Sequence, residues 1–239
     1  MMAALAQIDY RASAGRTPWH RASALSKLLL AALVVAGAIA APTLKVLLVM
    51  AGAALVLALT SGLPLTLVAA AAGYPLVFVL VFVWTRWDGG WLTPLMLVLR
   101  PVTASLTAAW LTGTTPYPDL FAPISRVLPR HTGDSLFLTY RAVWALLDRA
   151  DRMWRALRLR GGLTGPARRR LAVAGEGLGL MVVHGFERSR RLYAAMLLRG
   201  HSGRVCGCRH WAEPTRADLL VAVTAVGIAA LGWFAWRAG

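Results

Sequence analysis

Two groups of residues carry types and spacings that chemistry needs. His201, Cys206, Cys208 and His210 form H-x4-C-x-C-x-H, four soft or borderline donors in a short stretch and a set chemically able to coordinate a transition metal. The spacing matches no common structural zinc pattern, so the segment reads as an ordinary loop with reduced thiols and no metal is expected. The second group is repeated. Residues 148–161, DRADRMWRALRLRG, align without a gap on 187–200, ERSRRLYAAMLLRG, at an offset of 39 throughout. Acid, arginine, aromatic, alanine, leucine, arginine and glycine recur at matched places, which helical periodicity alone does not require.

Each copy reads as the end of a helix. Glycine just past the last turn is the usual left-handed cap. An arginine in front of it projects a planar five-donor fork beyond the tip, suited to bidentate contact with a carboxylate on another protein. The candidate contact residues are Ala156, Leu159, Arg160 and Gly161, and their counterparts Ala195, Leu198, Arg199 and Gly200. The alanines keep each tip narrow. A single arginine there would be explained by the helix dipole or by lipid phosphate; the duplication favours two docking tips. A third candidate is Arg100, a charge inside an apolar run, which reads as a contact to a membrane partner or a neighbouring helix, or as a residue near the headgroups.

The elements that hold these residues follow from composition. The chain has 239 residues, 58% hydrophobic and 15% charged, too few polar groups to cover a soluble domain. Apolar runs at 25–41, 44–60, 65–84, 92–111 and 217–236 are long enough to be read as five spans, with short connections that make the first four antiparallel neighbours. The stretch 171–186 is apolar but short and broken by Gly175, Glu176, Gly177 and Gly179, so it reads as the start of an interfacial helix. The glycines there have the wrong spacing for a phosphate loop and read as close helix packing. Two long helices are expected at 135–160 and 167–199.

Charge sets the orientation. Of 26 Lys and Arg, 18 lie between Arg126 and Arg216, against six of the ten acidic residues, and basic loops stay on the cytoplasmic side. That balance is accounted for by topology, so nucleic acid is not an expected partner. Arg11, Arg16 and Arg21 place the N-terminus inside the same inner, cytoplasmic membrane, and the run ending at Ala38-Ile39-Ala40 is not read as a cleaved leader. The chain divides into a cytoplasmic segment 1–24, spans 25–112, a basic cytoplasmic region 113–216 and a last span with the C-terminus 217–239.

Several activities are excluded. No G-x-x-x-x-G-K-[ST] loop is present to cradle ATP, and no serine, histidine and carboxylate set follows a known motif. The chain reads as no enzyme and needs no cofactor. A self-contained channel or secondary transporter, the alternative, would need polar or acidic groups within the spans, where Arg100 and scattered threonines are the main candidates.

Tyr193 to Gly203 resembles the second arginine signature of the transmembrane T components of energy-coupling factor transporters, the CbiQ and EcfT kind, and Ala156 to Gly162 resembles the first. Similarity extends to Thr114-Thr115-Pro116, to Tyr140-Arg141 with Leu146-Leu147-Asp148, and to His20-Arg21 ahead of Lys27. The chain departs in having Ser23-Ala24-Leu25 where the family usually has Asp-Pro-Arg, and His201 where an aromatic often stands. The resemblance implies an all-α polytopic membrane bundle of about five transmembrane helices, with two long cytoplasmic or interfacial coupling helices. It implies two cytoplasmic ATPase subunits, one per tip, and a separate substrate-binding membrane subunit that selects the cargo, a transition-metal ion, with cobalt favoured, or a vitamin.

Overall fold

A computed structural model describes residues 10–15, 17–85, 90–127, 129–162, 164–201 and 215–237. The chain forms two compact units, residues 1–123 with 209–239, and residues 124–208. All regular structure among the described residues is helical.

The first unit begins with α1 (Pro18–Arg21), a single turn that leads into α2 (Ala24–Ala40) and α3 (Leu44–Thr60). Pro42 cannot continue the helix before it, and Gly62, at φ 75°, takes the left-handed turn after α3. α4 (Leu65–Thr85) and α5 (Leu92–Thr114) follow, and α9 (Arg216–Arg237) returns to the same bundle. α5 packs against α2, α3 and α4, while α9 lies against α2 and α3.

The core of this unit comes from one stripe per helix: Leu30, Val34 and Ala38 of α2, Leu47, Met50, Ala54 and Leu57 of α3, Leu106 and Trp110 of α5, and Val221 and Ile228 of α9. These recur every three or four residues, as a helix face requires. Small residues let the backbones approach. A Cβ at Gly232 would stand 2.8 Å from Met50 Cε, and one at Gly113 would meet Leu63 at 2.4 Å. α4 is the least enclosed, with Tyr74, Val77, Phe78, Val81 and Phe82 exposed, an apolar surface of the kind that faces lipid.

Three helices, α4, α5 and α9, are long and apolar enough to cross a membrane. α2 and α3 coincide with expected spans but have 17 residues each, giving about 25 Å against a hydrocarbon core of about 30 Å, at the lower limit of spanning length. The stretch 171–186 belongs to a helix that is not among the three.

α6 (Tyr117–Val127) links the end of α5 to the second unit. The sequence reading did not anticipate it, because Pro116, Pro118 and Pro123 argue for a loop; a proline in the first turn removes no helical hydrogen bond, but Pro123 lies inside the helix. The second unit is built on α7 (Arg130–Leu159) and α8 (Ala167–Leu198). α7 starts five residues before the expected 135, directly after Pro129 at its N-cap, whereas α8 matches the expected 167–199 to within one residue.

α7 and α8 run antiparallel, joined by the turn at 160–166. Gly177 of α8 is buried, and a Cβ there would lie 3.0 Å from Met153 Sδ; farther along, position 185 faces Leu146. Of the three glycines at 175, 177 and 179, only Gly177 makes the close approach, since a Cβ at either of the others meets nothing within 4 Å.

Candidate functional site

α7 and α8 end by the same hydrogen-bond pattern. Arg160 sits at the C-cap of α7 with φ −84° and ψ 5°; Arg199 sits at the C-cap of α8 with φ −90° and ψ 9°. The next residues, Gly161 and Gly200, have φ 67° and 74°, a region open to glycine at little steric cost. The Gly162 N–H then donates to Leu157 O at 2.9 Å and the Gly161 N–H to Arg158 O at 3.1 Å. In the second copy the His201 N–H donates to Met196 O at 3.0 Å and the Gly200 N–H to Leu197 O at 3.0 Å. Both ends are Schellman closures, in which the chain turns out of the helix while its last carbonyls stay satisfied. Every atom pair in one has its counterpart 39 residues on in the other.

The side chains at the two ends match as well. Leu159 is 89% exposed and Leu198 90%, so each tip carries a large apolar side chain that nothing in its own unit covers. Ala156, Arg160, Ala195, Arg199 and Gly200 are exposed, and Gly161 is half-buried. Among the described residues neither Arg160 nor Arg199 pairs with a carboxylate. The acids of the repeat are used locally, Asp151 with Arg155 at 2.7 Å and Glu187 with Arg191 at 3.2 Å, both exposed pairs of small energetic value. Each tip therefore combines an exposed leucine with a guanidinium whose fork is open to a partner.

The copies differ in one respect. A Cβ at Gly162 would come within 3.0 Å of Val173 Cγ1, because the turn folds back onto the start of α8. The second copy has no such return and carries His201 there. The first tip immediately precedes α8 and the second ends it, so the two stand at opposite ends of a 32-residue helix, about 48 Å apart along its axis. They cannot both enter one small groove.

Arg100 lies apart from both tips. Its Nη2 donates to the carbonyl of Ala41 at 3.0 Å, so the guanidinium of α5 satisfies the C-cap residue of α2, at the end where a cation is favoured by the dipole. Of the four candidate metal ligands, Cys206, Cys208 and His210 lie outside the described residues. Among the described residues no three His, Cys, Asp or Glu side chains are grouped to hold a metal.

A polar cluster that the sequence reading did not assemble lies in the first unit, where α2 and α9 begin and α5 ends. Lys27 is 1% exposed and donates to the Thr114 carbonyl at 3.1 Å. Asp218 accepts from the Ser23 N–H, the Ser26 hydroxyl and the Thr215 N–H, each at 2.7 Å. His20, paired with Thr17 Oγ1 at 2.6 Å, has its imidazole held below the ordinary value by burial, with the backbone hydrogen bond to Gly113 opposing and the Lys27 charge reinforcing the shift. The signal available in the sequence was Lys27 itself, a lysine one turn into an apolar run.

A family model described as CbiQ, cobalt transport protein, matches residues 15–207, a range that includes both helix tips and most of the first unit. No curated protein matches the chain.

Proposed function

The chain belongs to the CbiQ family of cobalt transport proteins, and from that premise we propose that it is the membrane coupling subunit of an ATP-driven importer of the energy-coupling factor kind. One observation carries this reading: two helix ends with the same closure, each presenting an exposed leucine and an arginine without a carboxylate partner in its own unit. Two like tips at opposite ends of one helix suit two like partners. The partners are two cytoplasmic ATPase subunits, each receiving one tip in a groove that offers a carboxylate to the guanidinium fork.

The rest of the molecule fits that division of labour. A third subunit in the membrane binds the cargo, cobalt by preference, and the exposed apolar positions of α8, Leu178, Val182 and Phe186 among them, offer it a surface. The helices α2 to α5 and α9 cross the inner membrane as five spans, with the N-terminus and the α7–α8 unit on the cytoplasmic side, where the basic residues are retained. The chain performs no chemistry of its own.

Affinity purification from mild detergent of the chain produced together with its genomic neighbours tests the proposal. Two copies of an ATPase should come through with it and ATP hydrolysis should accompany uptake. Purification of the chain alone, with uptake that needs no ATP, would return it to the channel or secondary-transporter class.

A further inference from the structure

At one end of the first unit, a cavity of about 310 Å3 opens among the starts of α2, α6 and α9 and the last turn of α5, lined by His20, Arg21, Lys27, Thr115, Asp119 and Thr215. Its charges and donors point one way. Lys27 is 1% exposed, and an ammonium carries three donors, of which the Thr114 carbonyl takes one. The Thr115 hydroxyl, on a residue also 1% exposed, has no hydrogen-bond partner among the described residues, a cost that a buried polar group incurs only where something else satisfies it. Arg21 stands exposed at the rim. The starts of three helices add the partial positive charge of their N-termini.

The acidic side chains nearby are already committed. Asp218 is taken up by Ser23, Ser26 and Thr215, and Asp119 is engaged within the chain while it supports Lys27 electrostatically. What the cavity lacks is an acceptor with several oxygens. A phosphate supplies these: it can take the ammonium, the guanidinium fork and the threonine hydroxyl together. The cavity also lies at the level where the apolar helices α2 and α9 begin, which is where the headgroups of a bilayer stand.

We propose that this cavity binds a phosphate group, supplied by a membrane phospholipid whose headgroup enters between α2, α5 and α9. The inference is independent of the coupling role, since none of its residues belongs to the helix tips.

The test uses the full chain, delipidated in detergent, with phosphatidylglycerol added back and bound lipid counted by native mass spectrometry. Dioleoylglycerol, which has the tails without the phosphate, is the control, and inorganic phosphate is followed in parallel by 31P NMR. Thr115→Val keeps the shape and removes the hydroxyl, and Arg21→Gln changes an exposed residue, so both variants should fold. The wild type should retain one phosphatidylglycerol at a concentration about tenfold lower than either variant, and should not retain dioleoylglycerol. Broadening of the inorganic phosphate signal by the wild type and not by the variants, with no difference in lipid retention, would keep the phosphate site and assign its source to solution. Equal retention of phosphatidylglycerol by all three proteins with no phosphate effect, or equal retention of dioleoylglycerol, would overturn the proposal.

Discussion

Asp218 Oδ1 accepts the main-chain N–H of Ser23 at 2.7 Å, joining the first turn of α9 to the N-cap of α2 across nearly the whole chain. The same oxygen takes the Ser26 hydroxyl, and the other carboxylate oxygen takes the Thr215 N–H. One side chain thus caps its own helix in the manner of a capping box and also fastens that helix to the start of another. Asp218→Ala should lower stability by about 2 to 4 kcal/mol, as expected for losing several hydrogen bonds to one charged group. Asp218→Asn, which keeps an acceptor, should lose less. Unfolding in detergent, followed by circular dichroism, checks the order; an unchanged midpoint for the alanine variant would show that α9 is held by its apolar face alone.

His20 sets an acid limit on the first unit. Burial lowers its folded pKa from an ordinary 6.5, so the unfolded chain takes up this proton first as pH falls. The sign follows from that: the contribution of His20 is fully present above 6.5 and is lost as pH drops from 6.5 to the folded value. The wild-type unfolding midpoint should fall between about pH 7 and pH 5, and His20→Gln, which stays neutral, should flatten that part of the profile. Equal slopes in both proteins would assign the acid sensitivity to other groups.

The left-handed glycines of the two tips make a prediction about shape. A Cβ at Gly200 would meet nothing within 4 Å, so the cost of a side chain there comes from φ 74° alone. Asparagine enters the left-handed region far more readily than a β-branched residue. Gly200→Asn should therefore retain the closure and ATPase copurification, while Gly200→Val should lose about 1 to 2 kcal/mol locally and expose the His201 amide to hydrogen exchange. Equal protection of that amide in both variants would contradict the closure as described.

Much of this architecture follows from local pattern. The apolar runs give the positions of α2 to α5 and α9 because an apolar stretch needs no information from elsewhere in the chain, and the Arg-Gly pairs mark both helix ends because a left-handed cap is a local event. Long-range polar contacts are a different matter. Nothing in the spacing of Arg100 names Ala41 as its acceptor, and nothing near Asp218 names Ser23; each pair exists only once the helices have packed. Lys27 shows both sides. Its position in an apolar helix marks it as unusual, but the Thr114 carbonyl and the cavity beside it appear only in three dimensions. α6 was hidden by its prolines, whose helix-breaking tendency is outweighed when the first of them fall before or within the opening turn.

The tip arginines give the sharpest test of the coupling role. If each guanidinium meets a carboxylate in an ATPase groove, Arg160→Glu or Arg199→Glu puts like charges together there. Losing one partner of a buried charge pair at an interface costs about 2 to 5 kcal/mol, so either change alone should weaken the complex while the other tip still holds. Changing both should separate it. Arg→Lys at either position keeps the charge but loses the bidentate fork, and should also impair transport; a role limited to the helix dipole or to lipid phosphate would tolerate lysine. The two tips share one closure and the same exposed leucine and arginine, so the two single variants should weaken the complex by similar amounts. Copurification and ATP-dependent cobalt uptake, measured in membranes with all subunits present, check each step, and wild-type behaviour in the Arg160→Glu, Arg199→Glu double variant would remove the helix tips from the coupling path.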